Sequence, residues 1–92
     1  NINNIVFAYE PIWSIGTGII PKKNELIKNI SFIKKILKNK FKSKNSTVLY
    51  GGSVNPKNVN NLIQIDQIDG FLIGGASQNS NKFIDIIKKT YN

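Results

Sequence analysis

Three short apolar runs, each halted by an unusual residue pair, set the strongest limit on how this chain can fold. Ile5-Val6-Phe7-Ala8-Tyr9 ends at Glu10-Pro11, Thr47-Val48-Leu49-Tyr50 at Gly51-Gly52, and Gly70-Phe71-Leu72-Ile73 at Gly74-Gly75. Continuous apolar runs of this length suit strands buried on both faces, as in a parallel sheet. The stretches between them carry helical patterns. From about Lys23 to Asn39, Leu26, Ile30, Ile33 and Leu37 recur at helical spacing, Ile27 and Ile36 widen the stripe, and the lysines sit mostly opposite. Asn55-Pro56 puts a capping side chain before a proline at the first helical position, which predicts a short helix over 56–63. Asn79 or Ser80 can cap a last helix on which Phe83, Ile84, Ile87 and Tyr91 share a face. Strand then helix, three times over, places the chain in the α/β class with a parallel sheet.

A (β/α)8 barrel of about 250 residues uses roughly 31 per strand–helix unit, so this chain holds about three units. Three strands cannot close a barrel, and their sheet keeps open edges unless neighbours are supplied. The 92 residues include no Met and no Cys. A domain this short buries only about 60–65% of the surface its unfolded chain exposes. Neither disulfides nor a His or Cys metal cluster is available to reinforce it. The expectation is one incomplete domain, residues 1–92, of something larger. Missing cysteines do not fix a compartment. No apolar stretch nears the roughly 20 residues that span a bilayer, and the start lacks a signal-peptide pattern. A cytoplasmic protein without membrane partners is the default expectation.

The net charge of +8 comes from lysine alone, because the chain has no Arg, and nine of the thirteen lysines fall between Lys22 and Lys44. Such a block can be a nucleic-acid footprint, but the commoner origin is the solvated face of a helix with its following loop. Arginine would serve bidentate phosphate or base contacts better. No nucleic-acid partner is expected.

In parallel α/β architectures, sites are built at the carboxyl ends of strands. Glu10 stands at such an end. There an apolar strand gives it low-dielectric surroundings, which favour a basic carboxylate. The alternative is a structural Glu paired with a lysine. The glycine pairs let several backbone N–H groups approach one phosphate, and Ser53 and Ser77 could add hydroxyls. The alternative is that each pair merely ends a strand in a tight turn. Gly16-Thr17-Gly18 lacks the third glycine of a dinucleotide fingerprint. It is either an ordinary loop or the tip of a mobile lid. Trp13 suits core packing or a lid anchor.

Ala8-Tyr9-Glu10-Pro11-Ile12-Trp13-Ser14-Ile15-Gly16-Thr17-Gly18, with Tyr50-Gly51-Gly52-Ser53-Val54 and Ile73-Gly74-Gly75-Ala76-Ser77, resembles the motifs of triosephosphate isomerases in order and spacing. The resemblance covers essentially the whole chain and implies the C-terminal three βα units of a TIM barrel, from the sixth strand to the final helix. It implies that Glu10 is the base in the interconversion of dihydroxyacetone phosphate and glyceraldehyde 3-phosphate, a step of glycolysis and gluconeogenesis. That family is itself the reference case for a Glu base working with a neutral His electrophile and a closing loop. The resemblance further assigns the substrate phosphate to Gly16, Ser53, Gly74 and Gly75, near a helical turn after Gly74. It assigns a closing lid to Pro11–Pro21, including Trp13, Ile15, Thr17 and Gly18, with Tyr50 as its latch. No metal or organic cofactor is implied; the partners are a small phosphorylated triose and, for the full-length protein, a second copy in a homodimer.

Two departures stand out. The family's lid ends in a residue, usually Ala, whose N–H bonds the hydroxyl equivalent to Tyr50; here that position is Pro21, which has no N–H. A latch weaker by about 1 kcal/mol follows. The chain also has no His, and none of its lysines matches the family's catalytic one. Residues 1–92 alone are therefore expected to isomerise nothing at a meaningful rate. The alternative is a non-catalytic, phosphate-binding barrel fragment.

Overall fold

The computed structural model describes residues 4–91. Strand β1 (Val6–Tyr9) leads to helix α1 (Lys23–Phe41), β2 (Thr47–Tyr50) to α2 (Val59–Leu62), and β3 (Gly70–Phe71) to α3 (Ser80–Tyr91), with short 3-10 turns at Ile12–Ser14 and Gly75–Gln78. The chain is α/β, and its strands form one parallel sheet in the order β1-β2-β3. Because sheet order follows chain order without reversal, crossovers of the usual right hand put their helices on one face.

Alternation along the strands then divides the side chains. Phe7, Tyr9, Val48, Tyr50, Phe71 and Ile73 pack with the core, where Val48 and Tyr50 are fully buried. Leu26, Ile30 and Leu37 of α1 meet them there, together with Val59 and Leu62 of α2 and Ile86 of α3. Truncating a side chain such as Leu26 to Ala would cost about 2–5 kcal/mol. The stripe expected on α1 is the one that is buried, with Ile27, Ile33 and Ile36 half-buried at its margins. Its lysines are exposed, apart from half-buried Lys34, whose Nζ lies 2.9 Å from Asp69 Oδ2. That same carboxylate oxygen accepts the Val48 N–H, joining α1 to the start of the sheet.

Two expectations fail. β1 is not buried on both faces: Val6 is 60% exposed and Ala8 is exposed, while Phe7 and Tyr9 are half-buried. Helices cover one face only, and among the described residues nothing covers the other. The face shared by Phe83, Ile84, Ile87 and Tyr91 on α3 is also exposed, and Ile86 is the buried residue instead. The chief neighbours of α3 are α2 and the Gly75–Gln78 turn, which receive Ile86 and leave that stripe uncovered. β3 is shorter than its apolar run, although Leu72 N–H still donates to Tyr50 O at 3.0 Å. No described helix is long and apolar enough to cross a membrane.

α1 ends with Lys42 in the left-handed region at φ 57°. Lys42 N–H turns back to Leu37 O, and Ser43 N–H reaches the same carbonyl at 3.1 Å, so the left-handed residue closes the helix end. Glycine is the usual residue there, and the side-chain penalty of the left-handed region exceeds glycine's extra chain entropy. Lys42→Gly should raise stability by about 0.5–1 kcal/mol. A higher urea midpoint with an unchanged slope would show it.

Candidate active site

The parallel register brings the carboxyl ends of the strands to one edge. Tyr9, Tyr50 and Phe71 are paired across the sheet, so Glu10, Gly51 and Leu72 follow side by side. Gly51 N–H donates to Tyr9 O at 2.9 Å and holds the first two together. Glu10 falls on the same face as Val6 and Ala8, away from the helices. Its side chain lies over Gly51: a Cβ there would stand 2.8 Å from Glu10 Cγ, 3.1 Å from its Oε1 and 3.3 Å from Leu72 Cβ. A side chain at position 51 would displace Glu10 from this place.

Glu10 makes no ion pair among the described residues. It is exposed, however, rather than set in the low-dielectric surroundings expected of it. The cause is the uncovered face of β1 on which it sits.

The segment after Glu10 turns at once. Ser14 N–H donates to Pro11 O at 2.9 Å, and buried Pro11 anchors the turn. Trp13 is 52% exposed, so it does not serve as a core residue, and Ile15 is half exposed. Thr17 Oγ1 donates to Trp13 O at 3.0 Å and accepts Ile19 N–H at 3.2 Å. Gly16 and Gly18 hold φ of 69° and 76°, conformations in which a side chain is strained. Gly18 N–H donates to Ser53 Oγ at 2.9 Å, and the Ser53 hydroxyl donates in turn to Ser14 O. The loop thus folds back onto the end of β2.

Ser53 is itself held from the α2 side. Asn55 Oδ1 accepts Lys57 N–H at 2.8 Å and Asn58 N–H at 3.0 Å, while Asn58 Oδ1 accepts Asn55 N–H at 2.9 Å. These reciprocal bonds cap a turn over 56–58 that leads into α2, whereas regular helix begins only at Val59 and not at Pro56 as expected. The remaining Asn58 amide hydrogen goes to Ser53 O at 2.8 Å.

The glycine pairs differ in purpose. A Cβ on Gly52 would overlap the Tyr50 ring and hydroxyl and Ser14 Oγ, so both glycines of the first pair serve close packing. A Cβ on Gly74 or Gly75 would meet nothing within 4 Å, which leaves open space beside that backbone. The Gly75–Gln78 turn starts there, and Ser77 uses both its N–H and its hydroxyl on Gly74 O.

The sequence that carries this arrangement has relatives among known proteins. The family model described as triosephosphate isomerase matches residues 1–90. The chain belongs to the triosephosphate isomerase family. It is 42% identical over 88 residues to the triosephosphate isomerase of Lawsonia intracellularis, covering 94% of this chain and 35% of that protein. It is 45% identical over 87 residues to that of Mycoplasmopsis agalactiae, covering 95% of this chain and 32% of the relative. With that of Dictyostelium discoideum it shares 45% over 89 residues, 94% of this chain and 35% of the relative. The chain spans about a third of the length of these triosephosphate isomerases.

Sequence reasoning missed three residues here. Leu72 reads as one more strand residue until register sets it beside Glu10. Asn58 carries no signal except its spacing of three from Asn55. Ser14, fully buried, meets Tyr50: the Tyr50 hydroxyl donates to Ser14 Oγ at a long 3.4 Å. Tyr50 therefore engages the leading end of the loop instead of position 21.

Burial pushes the Tyr50 hydroxyl above its ordinary pKa of 10.0; the Ser14 hydroxyl opposes this and Tyr9 adds to it. The folded state thus holds the phenolic proton more tightly than the unfolded chain does. The associated stability is full below pH 10 and is lost as pH climbs from there through the raised folded value. Between about pH 9 and 11, the urea midpoint should fall more steeply in the unsubstituted protein than in Tyr50→Phe.

Proposed function

We propose that residues 1–92 are the last three βα units of a (β/α)8 barrel, from its sixth strand to its final helix. On this reading the full-length protein is a triose-phosphate isomerase. The bare sheet face would then be the barrel interior, and the exposed stripe of α3 would pack on elements outside this chain. Glu10 takes a proton from the carbon beside the substrate carbonyl and returns it to the neighbouring carbon through an enediol-like intermediate. Dihydroxyacetone phosphate becomes D-glyceraldehyde 3-phosphate, and the reverse.

The observation that carries this reading is the Glu10 side chain lying across Gly51 at the sheet's carboxyl edge, with the next loop hooked onto Ser53. Gly16, Gly74 and Gly75 offer backbone N–H groups to the phosphate from open backbone. Ser53 would contribute its N–H, because its hydroxyl is already engaged by Gly18 and Ser14. Pro11–Pro21 is the lid. The electrophile must come from outside this sequence, which contains no His. Proton transfer of this kind needs a base and an electrophile, and no metal or organic group enters the proposal. The same reading carries a homodimer in the cytoplasm, serving glycolysis and gluconeogenesis.

In the full-length protein, Glu10→Gln should lower kcat by about 10²–10⁴-fold, the usual share of a general base, with KM changed far less. Steady-state assays in both directions read this, and unchanged turnover would reject Glu10 as the base. An unsubstituted full-length protein that binds triose phosphates without converting them would instead establish the non-catalytic reading. Residues 1–92 by themselves should show no turnover, and substantial activity from them would overturn the division of the site proposed here.

A further inference from the structure

Pro21 gives the trailing end of the Pro11–Pro21 segment no backbone N–H to donate. Of the hydrogen bonds that tie this segment to the β2 end, two reach Ser14 near its leading end and one reaches Gly18. Ser14 is fully buried, and two directed chains of donors meet on it. In the first, Tyr50 Oη–H donates to Ser14 Oγ at 3.4 Å, and the Ser14 hydroxyl donates to Pro11 O at 3.0 Å. In the second, Gly18 N–H donates to Ser53 Oγ at 2.9 Å, and the Ser53 hydroxyl donates to Ser14 O. The Ser14 and Ser53 hydroxyls each give one hydrogen bond and receive one, and the Tyr50 hydroxyl gives one. Gly52 permits the arrangement, since a Cβ there would occupy the space of the Tyr50 hydroxyl and Ser14 Oγ.

We propose that Ser14 is a positioning residue that latches the loop at its leading end, acting through Tyr50 and Ser53. The role rests on the reading of Pro11–Pro21 as a lid, although the latch itself can be measured without any turnover. An Ala at position 14 keeps the backbone carbonyl that Ser53 uses, so it removes only the Tyr50–Ser14–Pro11 chain. Tyr50→Phe removes the same chain from its other end. The two substitutions should therefore overlap in effect, whereas Ser53→Ala breaks the second chain and should add to either.

The experiment is amide hydrogen exchange across residues 11–21 in the full-length protein, with Ser14→Ala, Tyr50→Phe, Ser53→Ala and the pairs. Ser14→Ala should speed exchange at Gly18 and Ile19 roughly 2- to 10-fold, the range for one hydrogen bond. Tyr50→Phe should match it, and the double variant should exceed neither. Ser14→Thr, which keeps the hydroxyl, should restore slow exchange. Independent, multiplying effects of Ser14→Ala and Tyr50→Phe would overturn the proposal, as would unchanged exchange in Ser14→Ala. In an active enzyme the pair should also raise KM by one shared factor. Absence of turnover from the unsubstituted protein would count against the isomerase reading alone, because the exchange rates still decide the latch.

Discussion

Glu10 crosses the carboxyl edge of the sheet over a residue with no Cβ, and the rest of the site depends on that crossing. With Ala at position 51, the added carbon would press on Glu10 Cγ, its Oε1 and Leu72 Cβ together. The Glu10 side chain would have to shift. The register makes the approach unavoidable, because Tyr9 pairs with Tyr50 and places residues 10 and 51 next to each other. One glycine therefore couples the strand pairing, which is a matter of backbone geometry, to the position of the carboxylate at the sheet's carboxyl edge.

A second constraint runs through Ser53. Its carbonyl is fixed by Asn58 from the α2 cap, and its hydroxyl links Gly18 to Ser14 across the loop. A polar side chain that serves a helix start thus also sets where the loop after β1 comes to rest. Cap, strand end and loop form a single hydrogen-bonded assembly of neutral groups. Those that are buried all have partners, as interior polar atoms require.

Much of this was legible in the residues. Continuous apolar runs gave the strands, 3.6-residue spacing gave α1, and Asn55-Pro56 gave the α2 cap, because each reflects local chemistry that the sequence displays directly. Glu10, the glycine loop and the glycine pairs were visible through their motifs. What stayed hidden depended on contacts between distant residues. Ser14 and Tyr50 are 36 positions apart, and no local pattern announces their meeting. The Gly51-Gly52 pair looks like an anion cradle in sequence, yet its backbone is packed against Glu10, Tyr50 and Ser14. The burial of β1 and the buried face of α3 were misread for a common reason. Both runs are apolar enough to be covered on sides where the described residues supply no cover.

On the function proposed above, the carboxylate, the loop and the open glycine pair serve one triose phosphate. The direct measurement is a backbone amide titration of the full-length protein with an inert three-carbon phosphate that lacks the carbonyl. Saturable shifts at Glu10, Gly16, Ser53, Gly74 and Gly75, sharing one dissociation constant, are the expected result. Shifts confined to the Lys34–Lys44 surface, with those five amides unmoved, would contradict it.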